Sequence, residues 1–360
     1  MTVISISSIM NHQYYNVIGV MSGTSLDGID LAHIEFIKRD CWTFTILEKQ
    51  CIPYSAQWKA RLQEAVGLNK EALQQLNVEY TALLAATCKD FVSKHKLQDI
   101  LAICSHGHTI LHQPEQGITL QIGNLPDIAR LTVHRVVCDF RIQDVKMGGQ
   151  GAPLVPIGDR LLFPDFDYCL NLGGFANLSF EQNGLRAAYD ICAVNVVLNH
   201  YAQLLNADFD AGGAFAKAGS PQPQQLKQLN ELPYYSLQAP KSLGIEWVGE
   251  NVFPILKSID KPLDALATFT EHAAIQIAAN LTAGSRVLVT GGGAYNDFLI
   301  QRLKQHKELS ITIPAAQLVE YKEALIFAFL GILRLRNENN CLASVTGASR
   351  DHSSGEIYIP

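Results

Sequence analysis

Two stretches of this chain, about 150 residues apart, run through the same order of features. Each opens with a short apolar strand, breaks into a glycine turn, returns through further strands, and then alternates helix with strand. In the first half the opening run is Asn16-Val17-Ile18-Gly19-Val20-Met21. It is broken by Ser22-Gly23-Thr24-Ser25-Leu26-Asp27-Gly28 and resumed over 29–36 and 43–47. In the second half Tyr168 to Leu172 is broken at Gly173-Gly174 and resumed over 175–180 and 185–189. A repeat of pattern without repeat of residues predicts two related α/β domains. The loop Gly148-Gly149-Gln150-Gly151-Ala152-Pro153 has little helix or strand propensity and marks the expected boundary, giving domains 1–150 and 151–360.

Other elements follow from periodicity. Leu73, Leu76, Tyr80, Leu83, Thr87 and Phe91 recur at spacings of three and four, which predicts one face of a long helix. Further helices are expected over 196–205, 268–281 and 321–336. Ile100 to Cys104 reads as a strand emptying into a polar loop, Ser105-His106-Gly107-His108-Thr109. Val133 to Cys138 reads as another strand, and Arg286 to Thr290 as one that runs into Gly291-Gly292-Gly293.

Composition removes several function classes. With 48% hydrophobic and 17% charged residues, the chain is no disordered polymer. A formal charge of −6 with no basic tract makes a poor nucleic-acid binder. The 8 cysteines are scattered without a C-x-x-C pair, so neither a zinc ribbon nor a disulfide framework is expected. No apolar run approaches the ~18 residues of a membrane span. The segment Met1 to Met10 lacks the charged start of a signal peptide. A cytoplasmic protein free of the membrane is the expectation.

Three glycine loops stand at strand ends, where α/β folds bind ligands. Glycine lets backbone N–H groups approach and cradle an anion. The loop from Gly23 to Gly28 adds the hydroxyls of Ser22, Thr24 and Ser25 and the carboxylates of Asp27 and Asp30. A carboxylate beside a phosphate needs a cation between them, so Asp27 and Asp30 suggest Mg²⁺. Neither G-x-x-x-x-G-K-[ST] nor G-x-G-x-x-G is present. A nucleotide held between two domains is therefore preferred to a P-loop or dinucleotide site.

The motif Gly19-Val20-Met21-Ser22-Gly23-Thr24-Ser25-Leu26-Asp27-Gly28-Ile29-Asp30 resembles the opening of the anhydro-N-acetylmuramic acid kinases. The likeness continues through Ser105-His106-Gly107, Asp139-Phe140-Arg141, Gly148 to Pro153, Leu170 to Leu178, Gly291 to Asn296, and Ser344-Val345-Thr346-Gly347-Ala348. It spans nearly the whole chain in the right order. It implies an α/β fold of two duplicated actin-like ATPase (ribonuclease H-like) domains with an inter-domain cleft. It also implies ATP-dependent phosphorylation of the 6-oxygen of 1,6-anhydro-N-acetylmuramic acid, coupled to hydrolytic opening of the anhydro ring, in peptidoglycan recycling. Family members are cytoplasmic and commonly homodimeric, and no nucleic-acid or membrane partner is expected.

The resemblance places the catalytic base on Asp190 and a second site carboxylate on Glu323. It places ATP contacts on Gly23, Thr24, Ser25, Asp27, Gly28, Asp30, Gly173, Gly174, Asn177, Gly291, Gly292, Gly293 and Asn296. Sugar contacts fall on His106, Thr109, Asp139, Gly149 and Gln150, with Arg130 and Arg141 as candidates to grip the lactyl carboxylate. Asp139 could instead hold one of these arginines. The histidines 106, 108 and 112 fit no zinc spacing.

Three positions depart from the family pattern. Where D-x-G-P-x-N is usual, this chain has Asp190-Ile191-Cys192-Ala193-Val194-Asn195. Cys192-Ala193 can follow the Gly-Pro path only if neither φ is positive. His108 stands where glutamine is expected, and Lys146 where a small residue is. The alternatives to the kinase reading are a kinase of the same fold acting on another sugar, and a non-catalytic nucleotide-binding homologue.

Overall fold

The computed structural model describes residues 13–23 and 26–360. Thr24, Ser25 and the segment Met1 to Met10 lie outside the described residues. The chain forms two compact units. One comprises the described residues of Met1–Leu162 together with Tyr321–Pro360, and the other is Phe163–Glu320. The expected boundary at residue 150 thus differs in two respects. The helix Pro156–Leu162 still belongs to the first unit, and the last forty residues return to it.

The first sheet contains β1 (Tyr14–Ser22), β2 (Gly28–Lys38), β3 (Trp42–Pro53), β4 (Ala102–Gln113), β5 (Ile118–Ile122), β6 (Val136–Cys138) and β12 (Glu356–Tyr358). Its order is β12-β6-β4-β1-β2-β3, with β5 paired to β4. The second contains β7 (Tyr168–Leu172), β8 (Phe175–Gln182), β9 (Leu185–Ala193), β10 (Arg286–Thr290) and β11 (Ser310–Thr312), in the order β11-β10-β7-β8-β9. Each begins with a three-stranded antiparallel meander. The first strand of each meander then pairs in parallel with a fourth strand, and that with a fifth. The shared order 3-2-1-4-5 gives the two related α/β units expected from the repeat, in the duplicated ribonuclease H-like topology that the resemblance implies.

Alternation on β1 explains how the first sheet is covered. Ile18 and Val20 join a buried cluster with Leu76, Tyr80, Leu84, Cys88 and Phe91 of the helix Lys70–Lys94. Gly19 points the other way, where a Cβ would overlap the carbonyl oxygen of Ala324. A Cβ on Gly331 would likewise overlap Sγ of Cys104 on β4. The helix Ala316–Leu335, which has non-helical angles at Tyr321, therefore lies with its backbone close against the sheet.

Several expected boundaries change: the helices expected over 268–281 and 321–336 are Pro262–Ala279 and Ala316–Leu335, and two strands differ as well. β4 does not empty into a loop at Ser105 but runs to Gln113, because residues 108–113 pair with β5. The strand expected from Val133 starts at Val136, since Val133 adopts φ +60 at the end of the helix Asp127–Thr132. All 8 cysteines are free; six are buried, while Cys41 and Cys51 are exposed. Among the described residues no helix is long and apolar enough to cross a membrane.

Candidate active site

In the first unit the end of β1 is fixed from beneath. Ser22 Oγ lies 2.6 Å from Tyr54 Oη and 2.8 Å from His108 Nδ1, and Tyr54 Oη lies 2.5 Å from Tyr80 Oη. The four side chains are buried. Burial pushes His108 down to about 4, so it stays neutral in this relay. Ser22 thus faces the interior, and the residue standing in place of glutamine is one of its partners. Gly23 follows, its carbonyl accepting from Leu26 N at 3.3 Å. Gly28 packs so closely on β3 that a Cβ would overlap the carbonyl oxygen of Ile52. Asp27 is exposed, whereas Asp30 is half-buried on β2 opposite Cys51. Burial, then a hydrogen bond with Asp30, holds the Cys51 thiol at about 12.

Glu323 lies just past the bend in the helix Ala316–Leu335. It is exposed, with protein packed around its carboxyl. That crowding raises its carboxyl; Arg141 opposes the rise, Asp30 adds to it, and Lys322 opposes it. Asp30 and Glu323 therefore share one neighbourhood with Arg141.

Arg141 connects three of the motifs. Its Nε donates to His106 Nε2 at 2.9 Å, and its Nη1 donates to the Gly151 carbonyl at 2.6 Å. His106 Nδ1 donates to the carbonyl of Gly107 at 3.0 Å. Burial and the Arg141 cation keep the imidazole well below its ordinary value, hence neutral. Asn124 Nδ2 bridges the carbonyl of His106 (3.2 Å) and Asp139 Oδ1 (3.0 Å). Asp139, at φ +57, is pushed up to about 6 by burial, with Asn124 opposing. Its hydrogen-bond partner is thus an amide, not an arginine. Thr109 is half-buried on β4, 3.4 Å from Gln121 Nε2. Arg130 is not part of this network. It is exposed on the helix Asp127–Thr132 and pairs with Asp127 at 3.1 Å.

Gly149 and Gln150 meet the C-terminal motif. Gln150 N donates to the carbonyl of Thr346 at 2.7 Å, and Gly151 N donates to Asp144 Oδ2 at 2.7 Å. Asp144, Cys341 and His352 are, among the described residues, a cluster of metal-ligand types. Both Asp144 oxygens already accept hydrogen bonds, from Gly151 N and Thr346 Oγ1, and the Arg141 cation lies beside the group.

In the second unit three loops converge on Asn195. The carbonyls of Gly173 and Gly174, in the β7–β8 turn, accept from Asn195 N (3.3 Å) and Val194 N (2.8 Å). Asn195 Nδ2 donates to the Leu172 carbonyl at 3.2 Å. Gly291 has φ +80, and a Cβ there would meet Asn171 Oδ1 and the backbone of Leu172, so the β10 turn closes on the β7 turn only as glycine. Gly292 and Gly293 follow, both near Asn195. Asn296 caps the helix Asp297–His306 by accepting from Leu299 N at 2.9 Å. Asn177 is exposed on β8, paired in register with Asp190.

Asp190 lies within β9, which continues to Ala193 rather than ending at Tyr189. Asn177 pairs with Asp190 and Ala176 with Cys192, leaving Ile191 as a bulge. Bulges bend a strand and re-aim its side chains. The segment 234–243 then holds Asp190 at three points. Leu243 N donates to Oδ2 (2.9 Å), Asp190 N donates to the Lys241 carbonyl (3.2 Å), and Tyr234 Oη donates to the Asp190 carbonyl (2.7 Å). Burial raises the carboxyl, and the Leu243 N–H opposes the rise.

The chain matches the family model for anhydro-N-acetylmuramic acid kinase over residues 15–360. It belongs to the anhydro-N-acetylmuramic acid kinase family. A kinase of that name from Saccharophagus degradans is 35% identical, over 95% of this chain and 98% of its own length. Another from Pseudomonas syringae pv. tomato is 34% identical, over the same shares of each chain. Among solved structures, the activator of 2-hydroxyisocaproyl-CoA dehydratase from Clostridium difficile with bound ADPNP is 12% identical. It covers 89% of this chain and 96% of its own, with a TM-score of 0.41.

In the altered segment of this anhydro-N-acetylmuramic acid kinase family member, Cys192-Ala193 meets the condition that neither φ be positive, and both residues are fully buried. The residues that sequence reasoning missed are Tyr54, Tyr80, Asn124, Asp144 and Tyr234. Gly123-Asn124-Leu125-Pro126 carries a turn signal that could have drawn attention to Asn124. Tyr54, Tyr80 and Tyr234 lie far along the chain from the groups they hold, and Asp144, close in sequence to Gly149 and Gly151, also holds Thr346, 202 positions away.

Proposed function

We propose that this chain uses ATP to phosphorylate the 6-oxygen of 1,6-anhydro-N-acetylmuramic acid while opening the anhydro ring with water. The products are N-acetylmuramic acid 6-phosphate and ADP, within cell-wall recycling. The match to the family model over residues 15–360 carries this reading.

Asp190 is the general base. Its Oδ2 is occupied by the Leu243 N–H, and Oδ1 takes the proton of the water that attacks the anomeric carbon. The raised carboxyl suits that role, because a base whose affinity for the proton is above the carboxylate norm accepts it more readily. As the bond from the anomeric carbon to the 6-oxygen breaks, that oxygen's electron pair goes to the γ-phosphorus and ADP departs. Protein assistance to this transfer is positioning and charge neutralisation. Gly173, Gly174 and Gly291 to Gly293 offer the close backbone approach that phosphates require. Asn296 serves there as a cap for the adjoining helix, and Asn177 as an exposed neighbour of Asp190.

Arg141 provides the cation for the lactyl carboxylate, with His106, Thr109, Asp139, Gly149 and Gln150 around the sugar. Arg130 stands as an outer contact. In the first unit Gly23, Thr24, Ser25 and Gly28 complete the nucleotide loop. Asp27 and Asp30 are hard oxygen donors beside the nucleotide loop and would hold Mg²⁺ together with the phosphates, neutralising their charge, while Glu323 is the second site carboxylate, in the neighbourhood of Asp30 and Arg141. The homodimer and the cytoplasmic location rest on the family resemblance.

Incubation with ATP, Mg²⁺ and the anhydro-sugar should release ADP, and Asp190→Asn should abolish that release. ADP formation with other sugars but not with the anhydro-sugar would favour the second kinase reading. ATP binding without turnover in any sugar would favour the non-catalytic one.

A further inference from the structure

Asp144 touches more of the expected sugar loop than any residue assigned to it. Its side chain is fully buried. Oδ2 accepts from Gly151 N at 2.7 Å, and Oδ1 accepts from Thr346 Oγ1 at 2.8 Å, 202 positions along the chain. Its own carbonyl accepts from Gly149 N at 2.9 Å. Gly149 packs on the carboxylate so tightly that a Cβ would overlap Oδ2. His352 Nε2 approaches Oδ1 at 3.6 Å. Asp144 thus fixes both ends of the loop from Gly149 to Gly151, the first through its backbone carbonyl and the second through its carboxylate, and the carboxylate ties the loop to the C-terminal motif, whose Thr346 carbonyl receives Gln150 N. Through Gly151, which accepts from Arg141, the same carboxylate sets the height of the guanidinium.

We propose that Asp144, acting through Thr346 and Gly151, is the positioning residue that presents Gly149, Gln150 and Arg141 to the sugar. The proposal rests on the reading of those three as sugar contacts. Asp144 and Thr346 are themselves buried behind the loop. A buried residue that accepts two hydrogen bonds at its carboxylate and a third at its carbonyl holds a loop in one position, which is what a binding constellation needs.

The test is steady-state kinetics with the anhydro-sugar and ATP varied separately, on the full chain. Thr346→Val removes the hydroxyl at nearly constant volume and should raise KM for the sugar about tenfold, the effect of one lost buried hydrogen bond. KM for ATP should stay within about twofold, because the change reaches the sugar loop alone. Thr346→Ser keeps the donor and should recover most of the sugar KM. Asp144→Asn should show the larger sugar KM effect, and calorimetric sugar binding covers the case in which it folds poorly. A Thr346→Val enzyme with unchanged sugar KM, or with equal changes for ATP and sugar, overturns the proposal. An unmutated chain that turns over no anhydro-sugar overturns the proposed function instead, so the two failures are distinct.

Discussion

Arg141 donates its Nε–H to Nε2 of His106 across 2.9 Å. Because the other ring nitrogen donates to the Gly107 carbonyl, the imidazole is committed as a neutral acceptor. Two of the guanidinium donors are thereby assigned inside the protein, and the rest remain for an anion. Lysine cannot reproduce this fork. Arg141→Lys should raise the sugar KM about tenfold or more, with KM for ATP little changed, in the same two-substrate assay.

The pH profile should carry the mark of Asp190. A general base works deprotonated, and burial raises this carboxyl above 3.8. The acid limb of kcat should therefore lie above the ordinary Asp range and activity should fall as pH drops through it. The same shift has a stability consequence of opposite sense. Between 3.8 and the raised value the folded state binds more protons than the unfolded one, so stability is lost as pH rises through that window. Asp190→Asn should thus be inactive yet melt no lower than the unmutated chain at pH 8, as scanning calorimetry would show.

Lys322 and Asp159 form a buried ion pair at 2.8 Å, their side chains 7% and 4% exposed. Removing one partner leaves an uncompensated buried charge. Lys322→Met should destabilise by about 3–5 kcal/mol, and the double change Lys322→Met, Asp159→Leu should regain most of that. Urea titration of the three variants decides it; equal loss in single and double variants would show that the pair contributes little.

Gly19 is required by contact rather than by its torsion angles. Its Cβ position falls on the carbonyl of Ala324, a backbone atom that has no rotamer to yield. Gly19→Ala should cost about 1–3 kcal/mol or more, measured by thermal unfolding.

Much of this fold is legible in the sequence. The strand-turn-strand repeat led to two sheets of the same order, because alternation and glycine punctuation are local signals. Ser105 to Thr109 have the polarity of a loop because buried histidines imitate a surface pattern; the neutral His106 and His108 belong to β4, which pairs with β5. The return of residues 321–360 to the first unit leaves no local trace, being decided by long-range packing such as Gly331 on Cys104. Asp190 and Glu323 were reached by resemblance alone. The bulge at Ile191 and the bonds from 234–243 that hold Asp190 depend on pairing between segments, which a linear reading does not contain.

The close seating of the last long helix on β1 and β4 has a consequence for biosynthesis. Residues 163–320 are continuous in sequence and have all their parts as soon as they leave the ribosome, whereas the unit begun first lacks the helix that roofs Gly19 until residues 321–360 emerge. The part translated second is therefore the part able to mature first. A nascent chain arrested before residue 321 should present a half-roofed sheet to chaperones.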